Sequence, residues 1–234
     1  MPAAPLPPDE AERLALLREY QILDTPPEQA FDDIVRLASL VCGTPIALVS
    51  LVDETRQWFK AAIGIAATST PREDAFCAHA ILDVRPLVVP DASADTRFQD
   101  NPLVTGDPHI RFYAGAPLVT PQGGRLGTLC VIDSSPGELT AEQTHALEAL
   151  SRLVVEHLEF RRIAGALADA LERSRTLSGL LPICSYCKRI RDDKNYWREV
   201  EAYVRSHAPV QFSHGICPTC FSEHFPDVEY PKGP

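Results

Sequence analysis

The chain has 234 residues, 45% hydrophobic and 23% charged, enough apolar material to bury a core, and this sets its class as globular. A formal charge of −10 and a pI near 5.1 exclude a free-standing, non-specific nucleic-acid binder, because phosphate neutralisation needs surplus Lys and Arg. The opening MPAAPLPPDEAER has neither the basic nor the apolar region of a signal peptide, and no apolar run is long enough to span a bilayer. A soluble, cytoplasmic protein without a membrane partner is expected.

Residues 1–8 read as a flexible leader. From Asp9 the pattern is helical, with Leu14, Leu16, Leu17 and Ile22, up to the stop at Leu23-Asp24-Thr25-Pro26-Pro27. Phe31, Ile34, Leu37, Ala38 and Val41 fall at three-to-four spacing and predict a second helix. The period then changes. Pro45–Asp53 is a short β-rich run, and Gln57–Ile63 is the strand expected to pair with it. Phe76–Leu82 predicts a short helix and Leu87–Val89 a further strand. Segment 91–111 reads as a long loop carrying a small helix or a lid. Phe112–Val119 and Arg125–Ile132 are strands joined by the hairpin signal Pro121-Gln122-Gly123-Gly124.

A long helix begins after Thr140, its expected N-cap, and runs to about Ser178. Phe160, Ile163, Leu167, Ala170, Ser174, Leu177 and Leu181 recur at roughly seven residues, the spacing of a coiled-coil seam and hence of a homodimer. The alternative is a helix that packs on its own domain.

Two identical spacings dominate the C-terminal quarter, Cys184-Ser-Tyr-Cys187 and Cys217-Pro-Thr-Cys220, with 29 residues between them. Four thiolates so spaced predict one tetrahedral, structural zinc site with no open coordination position. An iron–sulfur cluster, a redox-switched disulfide pair, or His214 in place of one thiolate are the alternatives. Cys217 opens a predicted final helix, and Trp197–His207 is expected to form another with Val200, Tyr203 and Val204 inward. The order is treble-clef-like. So short a segment has too little core to fold without a staple. Lys188, Arg189, Arg191, Lys194 and Arg198 form a local basic patch, read as a solvated face or a contact for an acidic partner.

Several blocks together resemble one bacterial group of GAF domains, found in histidine kinases and diguanylate cyclases: Leu23–Pro27, Leu51–Asp53, Arg56–Lys60, Phe76–Ala80, Arg97-Phe98, Arg111–Leu118 and Gly127–Asp133. The resemblance covers residues 9–162. It implies an α+β fold, an antiparallel sheet with helices on one face and a ligand pocket on the other. The full organisation expected is then leader 1–8, GAF domain 9–162, helical linker 163–179, zinc module 180–225 and tail 226–234. The C-terminal segment resembles a small cysteine module found after sensor domains in bacterial signalling proteins.

The resemblance implies a small-molecule ligand without identifying it. The signature of cyclic-nucleotide binding is missing, and Cys77-Ala78-His79 has one residue more than the Cys-His of bilin attachment. Haem would need an axial ligand, for which His79 is the candidate. The expected pocket residues are Trp58, Phe59, Phe76, Cys77, His79, Phe98, Arg111 and Tyr113. Arg111 either clamps an anion or pairs with Asp53 or Asp133. Cys77 and Cys130 permit a thiol-dependent reductase like the free methionine sulfoxide reductases, although apolar strands around Cys130 favour an inert, buried thiol. The function expected is a regulatory protein: a sensor domain joined by a helix to a zinc-stapled module that meets a signalling partner; the alternatives are that reductase and a redox sensor in which oxidation ejects the metal.

Overall fold

A computed structural model of the chain describes residues 3–175, 181–192, 194–207 and 210–228. They divide into two compact units, Met1–Ala166 and Leu167–Pro234. No helix among the described residues is long and apolar enough to cross a membrane.

The first unit is built on a six-stranded antiparallel sheet of order β3-β2-β1-β6-β5-β4. Its strands are β1 (Ile46–Val52), β2 (Arg56–Ile63), β3 (Ser69–Pro71), β4 (Leu87–Val89), β5 (Phe112–Val119) and β6 (Arg125–Asp133). The helices are α1 (Glu10–Glu19), α2 (Gln29–Cys42), α3 (Phe76–Ala80), α4 (Pro102–Thr105) and α5 (Ala141–Arg175). β1, β5 and β6 are buried almost end to end, so successive residues feed two different cores. Ala47, Val49, Leu51, Leu129 and Val131 face Leu17 of α1, Phe31 and Val35 of α2 and Leu147, Val154 and Leu158 of α5. Ile46, Leu48, Val52, Cys130 and Ile132 face α3 and the 89–110 segment.

Local signals account for most of the ends. Thr140 and Gln143 form a reciprocal capping box at the start of α5, each backbone N–H donating to the other's side-chain oxygen, at 2.9 and 3.2 Å. Gly43 closes α2 at φ +68°, and Gly123, at φ +86°, turns the β5–β6 hairpin. Two expectations are corrected. The first helix stops at Glu19, short of the Pro26-Pro27 stop, because Gln21 and Asp24 take positive φ of 47° and 59°. In α2 the buried stripe is Phe31, Ile34, Val35, Ala38 and Cys42, while Leu37 and Val41 are exposed. β3 was not foreseen.

A bulge in β2 sets the packing of the N-terminal segment. Val49 pairs with Ala61 and Ser50 with Phe59, so Lys60 is the extra residue. Its side chain is fully buried, with Nζ donating to Thr25 Oγ1 (2.8 Å), Pro26 O (2.6 Å) and Glu28 Oε1 (2.6 Å) and lying over the Phe31 ring. Glu28 also meets Arg161 of α5 at 3.0 Å. Glu10 plays a similar part: Arg13 grips it bidentately at 2.8 Å, and Arg72 donates to it at 2.5 Å.

The second unit contains a two-stranded hairpin, β7 (Ile190–Arg191) and β8 (Trp197–Arg198), followed by α6 (Val200–His207) and α7 (Pro218–His224). Trp197, expected in a helix, is in β8. Of the inward trio only Tyr203 is buried; Val200 is exposed. Along α5, Phe160, Ile163, Leu167 and Ala170 are exposed, as is Leu171. The side chain of Ser174 and all of Leu177 lie outside the described residues, as do 176–179 of the expected linker, 1–2 of the leader and 229–234 of the tail.

Two outcomes test this arrangement. Lys60→Met leaves the Pro26 carbonyl and the Glu28 carboxylate without their buried donor and lowers unfolding free energy by about 2 kcal/mol in urea titrations. Burial alone would raise the Glu10 pKa, but the Arg13 and Arg72 guanidiniums hold it at about 2, against an ordinary 4.5. A carboxylate whose pKa is depressed on folding contributes stability above its unfolded pKa and loses it below. Stability therefore declines as pH falls from 4.5 towards 2, and Glu10→Gln flattens that part of the profile.

Candidate functional site

On the sheet face away from α1, α2 and α5 lies a small cavity of about 30 Å³. Ile46 and Leu48 of β1, Phe59 of β2, Phe76 and Cys77 of α3, Tyr113 of β5 and Ile132 of β6 wall it. Leu103, Pro108 and Ile110 cover it from the segment that carries α4. Two polar side chains reach the otherwise apolar lining, Gln57 and its cross-strand partner Thr70. Gln57 Oε1 and Thr70 Oγ1 are buried and have no hydrogen-bond partner among the described residues. Unpaired buried acceptors and hydroxyls are costly, so a convergent pair of them in a cavity marks a place for a donor from a ligand or water.

The cover is pinned. Arg111 Nη1 donates to the carbonyls of Val104 and Ile110, both at 3.0 Å. Asn101 caps α4 by accepting from Leu103 N at 2.8 Å, and its amide donates to Asp74 O at 3.0 Å.

Behind the cavity wall is a cluster of thiols and hydroxyls. Cys77 Sγ accepts from Thr128 Oγ1 at 3.0 Å and from Tyr113 OH at 3.3 Å, and lies 3.8 Å from Cys130 Sγ. Ser50 Oγ is 3.3 Å from Thr128 Oγ1. Burial raises the Cys77 pKa, but hydrogen bonds from Cys130, Ser50, Thr128 and Tyr113 outweigh it and bring the net value down to about 7. The Cys130 thiol is pushed well up, first through its hydrogen bond to Cys77 and then through burial.

The sequence matches the GAF domain family over residues 26–158, more than half of the chain. The chain belongs to the GAF domain family. It is 45% identical over 163 residues to a cyclic di-GMP phosphodiesterase of Pseudomonas aeruginosa, a stretch that is 69% of this chain and 28% of that protein. The chain thus spans little more than a quarter of its curated relative's length. Among solved structures, the GAF domain of a phosphoenolpyruvate-protein phosphotransferase from Coxiella burnetii superposes with a TM-score of 0.50 at 16% identity, covering 67% of this chain and 98% of that one. A domain of a sensor histidine kinase protein from Sinorhizobium meliloti gives 0.48 at 16% identity, over 60% of this chain and 97% of that one.

Within this GAF domain the structure gathers four of the eight expected pocket residues, Phe59, Phe76, Cys77 and Tyr113, at the cavity. Phe98 stands one layer back, stacked on Phe76 at 4.1 Å between ring centroids. Trp58 is placed in the opposite core, as strand alternation requires of a neighbour of Phe59. His79 does not line the cavity; it sits edge-on to Phe98, and burial followed by the charge of Arg97 lowers its pKa. A cavity of about 30 Å³ has no room for haem, and His79 is not aimed into it. Arg111 neither lines the cavity nor pairs with Asp53 or Asp133 through its side chain. Its guanidinium holds loop carbonyls instead. Gln57, Thr70, Thr128 and Ser50 were missed, although a hydroxyl inside an apolar strand, as at Ser50 and Thr128, is a readable sign of a polar partner.

In the second unit each cysteine pair forms a local knuckle. Backbone N–H groups of Cys187 and Tyr186 lower the Cys184 pKa. Cys217 caps α7, its sulfur accepting from Cys220 N at 3.5 Å, and its pKa is likewise lowered. Among the described residues no group of three or more His, Cys, Asp or Glu is placed to hold a metal ion. His214 approaches Glu201 at 3.3 Å. In the basic patch Arg198 pairs with Asp192 at 2.7 Å.

Removing the pin on the cover should show itself locally. Arg111→Met accelerates amide hydrogen exchange in residues 102–110 with global stability lowered by only about 1 kcal/mol. Unchanged exchange there would show that Arg111 does not hold the lid.

Proposed function

We propose that this GAF-domain protein is a cytoplasmic signal-transduction regulator. Its GAF cavity senses a small molecule, and residues 163–179 relay occupancy to a zinc-stapled module that meets a signalling partner. The observation that carries the reading is the pair of unpartnered buried polar atoms, Gln57 Oε1 and Thr70 Oγ1, in an apolar cavity beneath a pinned cover. At about 30 Å³ that cavity is too small for a metabolite, which is accommodated only as Leu103, Pro108 and Ile110 move aside. The ligand class is a largely apolar small molecule with at least one N–H or O–H donor. Similarity to a cyclic di-GMP phosphodiesterase supports a place in second-messenger signalling.

The donor set supports zinc in the C-terminal module. Cys184, Cys187, Cys217 and Cys220 lie in two close pairs, and in each pair one thiol, Cys184 or Cys217, is held down by backbone N–H groups towards the thiolate, the form that binds the ion. Only Ile190 and Tyr203 are buried apolar residues among those described there, too few to hold so short a unit by burial alone. Zinc would join the two knuckles and supply folding energy, with no part in catalysis. The apolar stripe Phe160, Ile163, Leu167 and Leu171 supports self-association into a homodimer.

A second reading, a thiol-dependent reductase acting on methionine sulfoxide, is favoured by the Cys77–Cys130 contact at 3.8 Å. Turnover of free methionine sulfoxide that disappears in Cys77→Ser decides for it, and no turnover in the wild type removes it.

Native mass spectrometry against the denatured mass tests the main reading. A dimer is expected, with one zinc per chain and additional small-molecule mass that Gln57→Met loses. Cys184→Ser and Cys217→Ser each abolish zinc retention and leave the GAF domain folded. A metal-free protein with a fully protected C-terminal unit would overturn the zinc assignment.

A further inference from the structure

The thiol cluster behind the cavity is arranged for more than packing. Cys77 and Cys130 are both fully buried, yet only Cys77 lines the cavity; Cys130 is not among the lining residues. Two hydroxyls fixed on the sheet, Thr128 and Tyr113, point their donors at the Cys77 sulfur, at 3.0 and 3.3 Å. A sulfur that accepts two hydrogen bonds is prepared to carry charge, whereas an inert core cysteine needs neither. At about 30 Å³ the cavity has room for a molecule of water size and little more. A thiolate facing such a space, with a second thiol in contact behind it, selects a small oxidant and has its resolving partner in place.

We propose that Cys77 and Cys130 form a peroxide-reactive dithiol in the GAF core, Cys77 attacking hydrogen peroxide admitted to the cavity and Cys130 closing a disulfide. The Cys77 sulfur bonds to one peroxide oxygen while the O–O bond breaks. The departing hydroxide takes the proton that Cys77 released and leaves as water, with Cys77 as sulfenic acid. The Cys130 sulfur then attacks the Cys77 sulfur, the S–O bond breaks, and the hydroxyl leaves with the Cys130 proton as a second water. Two thiols lose two electrons and two protons, and one peroxide becomes two waters. The sulfurs close from 3.8 Å to about 2.05 Å, tying α3 to β6. A dithiol reductant reverses the change. The depressed pKa of Cys77 and the raised pKa of Cys130 agree with this division of roles. The inference does not depend on the identity of any sensed ligand.

The test uses the full chain, reduced and then exposed to stoichiometric hydrogen peroxide, alkylated under denaturing conditions, digested and mapped by mass spectrometry. The expected result is a peptide pair cross-linked through Cys77 and Cys130. Cys130→Ser should instead accumulate a sulfenic acid at Cys77 that a dimedone-type reagent traps. Thr128→Val should slow cross-linking about tenfold at neutral pH, because a hydrogen bond to a charged group is lost. The wild-type map alone is decisive if a variant fails to fold. Full alkylation of Cys77 and Cys130 while Cys184, Cys187, Cys217 and Cys220 have oxidised overturns the proposal. So does over-oxidation of Cys77 without a bond to Cys130.

Discussion

Burial of the sheet on both faces is the constraint from which the rest of the first unit follows. β1, β5 and β6 are covered along nearly their whole length, so each strand alternates between two interiors instead of between core and water. One interior, under α1, α2 and α5, is largely apolar, with Lys60 and Arg13 held at its edges by carboxylates. The other, under α3 and the α4 segment, contains Ser50, Thr128, Tyr113 and Cys77, which are buried and satisfy one another. A hydroxyl so deeply placed costs free energy unless paired. The pairing therefore fixes the rotamers of Ser50, Thr128 and Tyr113 around the Cys77 sulfur, and the chemistry of that sulfur follows from the sheet's architecture.

The bulge at Lys60 shows the same constraint acting at an edge. At the bulge Lys60 reaches Thr25, Pro26 and Glu28, where three acceptors replace water around its ammonium. Glu28 in turn reaches Arg161, so one buried cation links the loop before α2, the sheet and α5. The dipeptide Pro26-Pro27 looks like a helix stop in the sequence; in the structure it presents a carbonyl to a buried ammonium.

What could be read from the chain divides along physical lines. β1, β5 and β6 were legible as short, mostly apolar runs bounded by turn residues, and β2 as the partner across the tight turn at Asp53–Arg56. The capping box at Thr140 and the turn at Gly123 were legible because their cause is local. The early end of α1, the rotation of the α2 stripe and the three-residue β3 were not, since tertiary partners decide them. Arg13, fully enclosed and neutralised by Glu10, gives no sign in sequence that it differs from any helix arginine. At the cavity, aromatics and Cys77 were legible as residue types, while the sorting of Trp58 from Phe59 needed the strand's phase. Gln57 and Thr70 needed more still, the register of β2 on β3. The cysteine spacing was legible at once, but spacing alone does not bring two knuckles to one ion, and among the described residues they have not met.

The size of the cavity separates two kinds of signal. A metabolite of ordinary size needs a pocket about ten times larger, and so it binds only the fraction of molecules whose α4 segment has lifted. Its apparent affinity is reduced by that fraction, and Arg111, which fastens Val104 and Ile110, sets it. A molecule of water size needs no such opening, and its access is limited by brief fluctuations of the same cover. One pinned segment thus governs both routes, equilibrium binding through its open population and thiol chemistry through its opening rate. A change at Arg111 would move the two together, whereas a change at Thr128 would alter the sulfur's reactivity and leave the cover as it is.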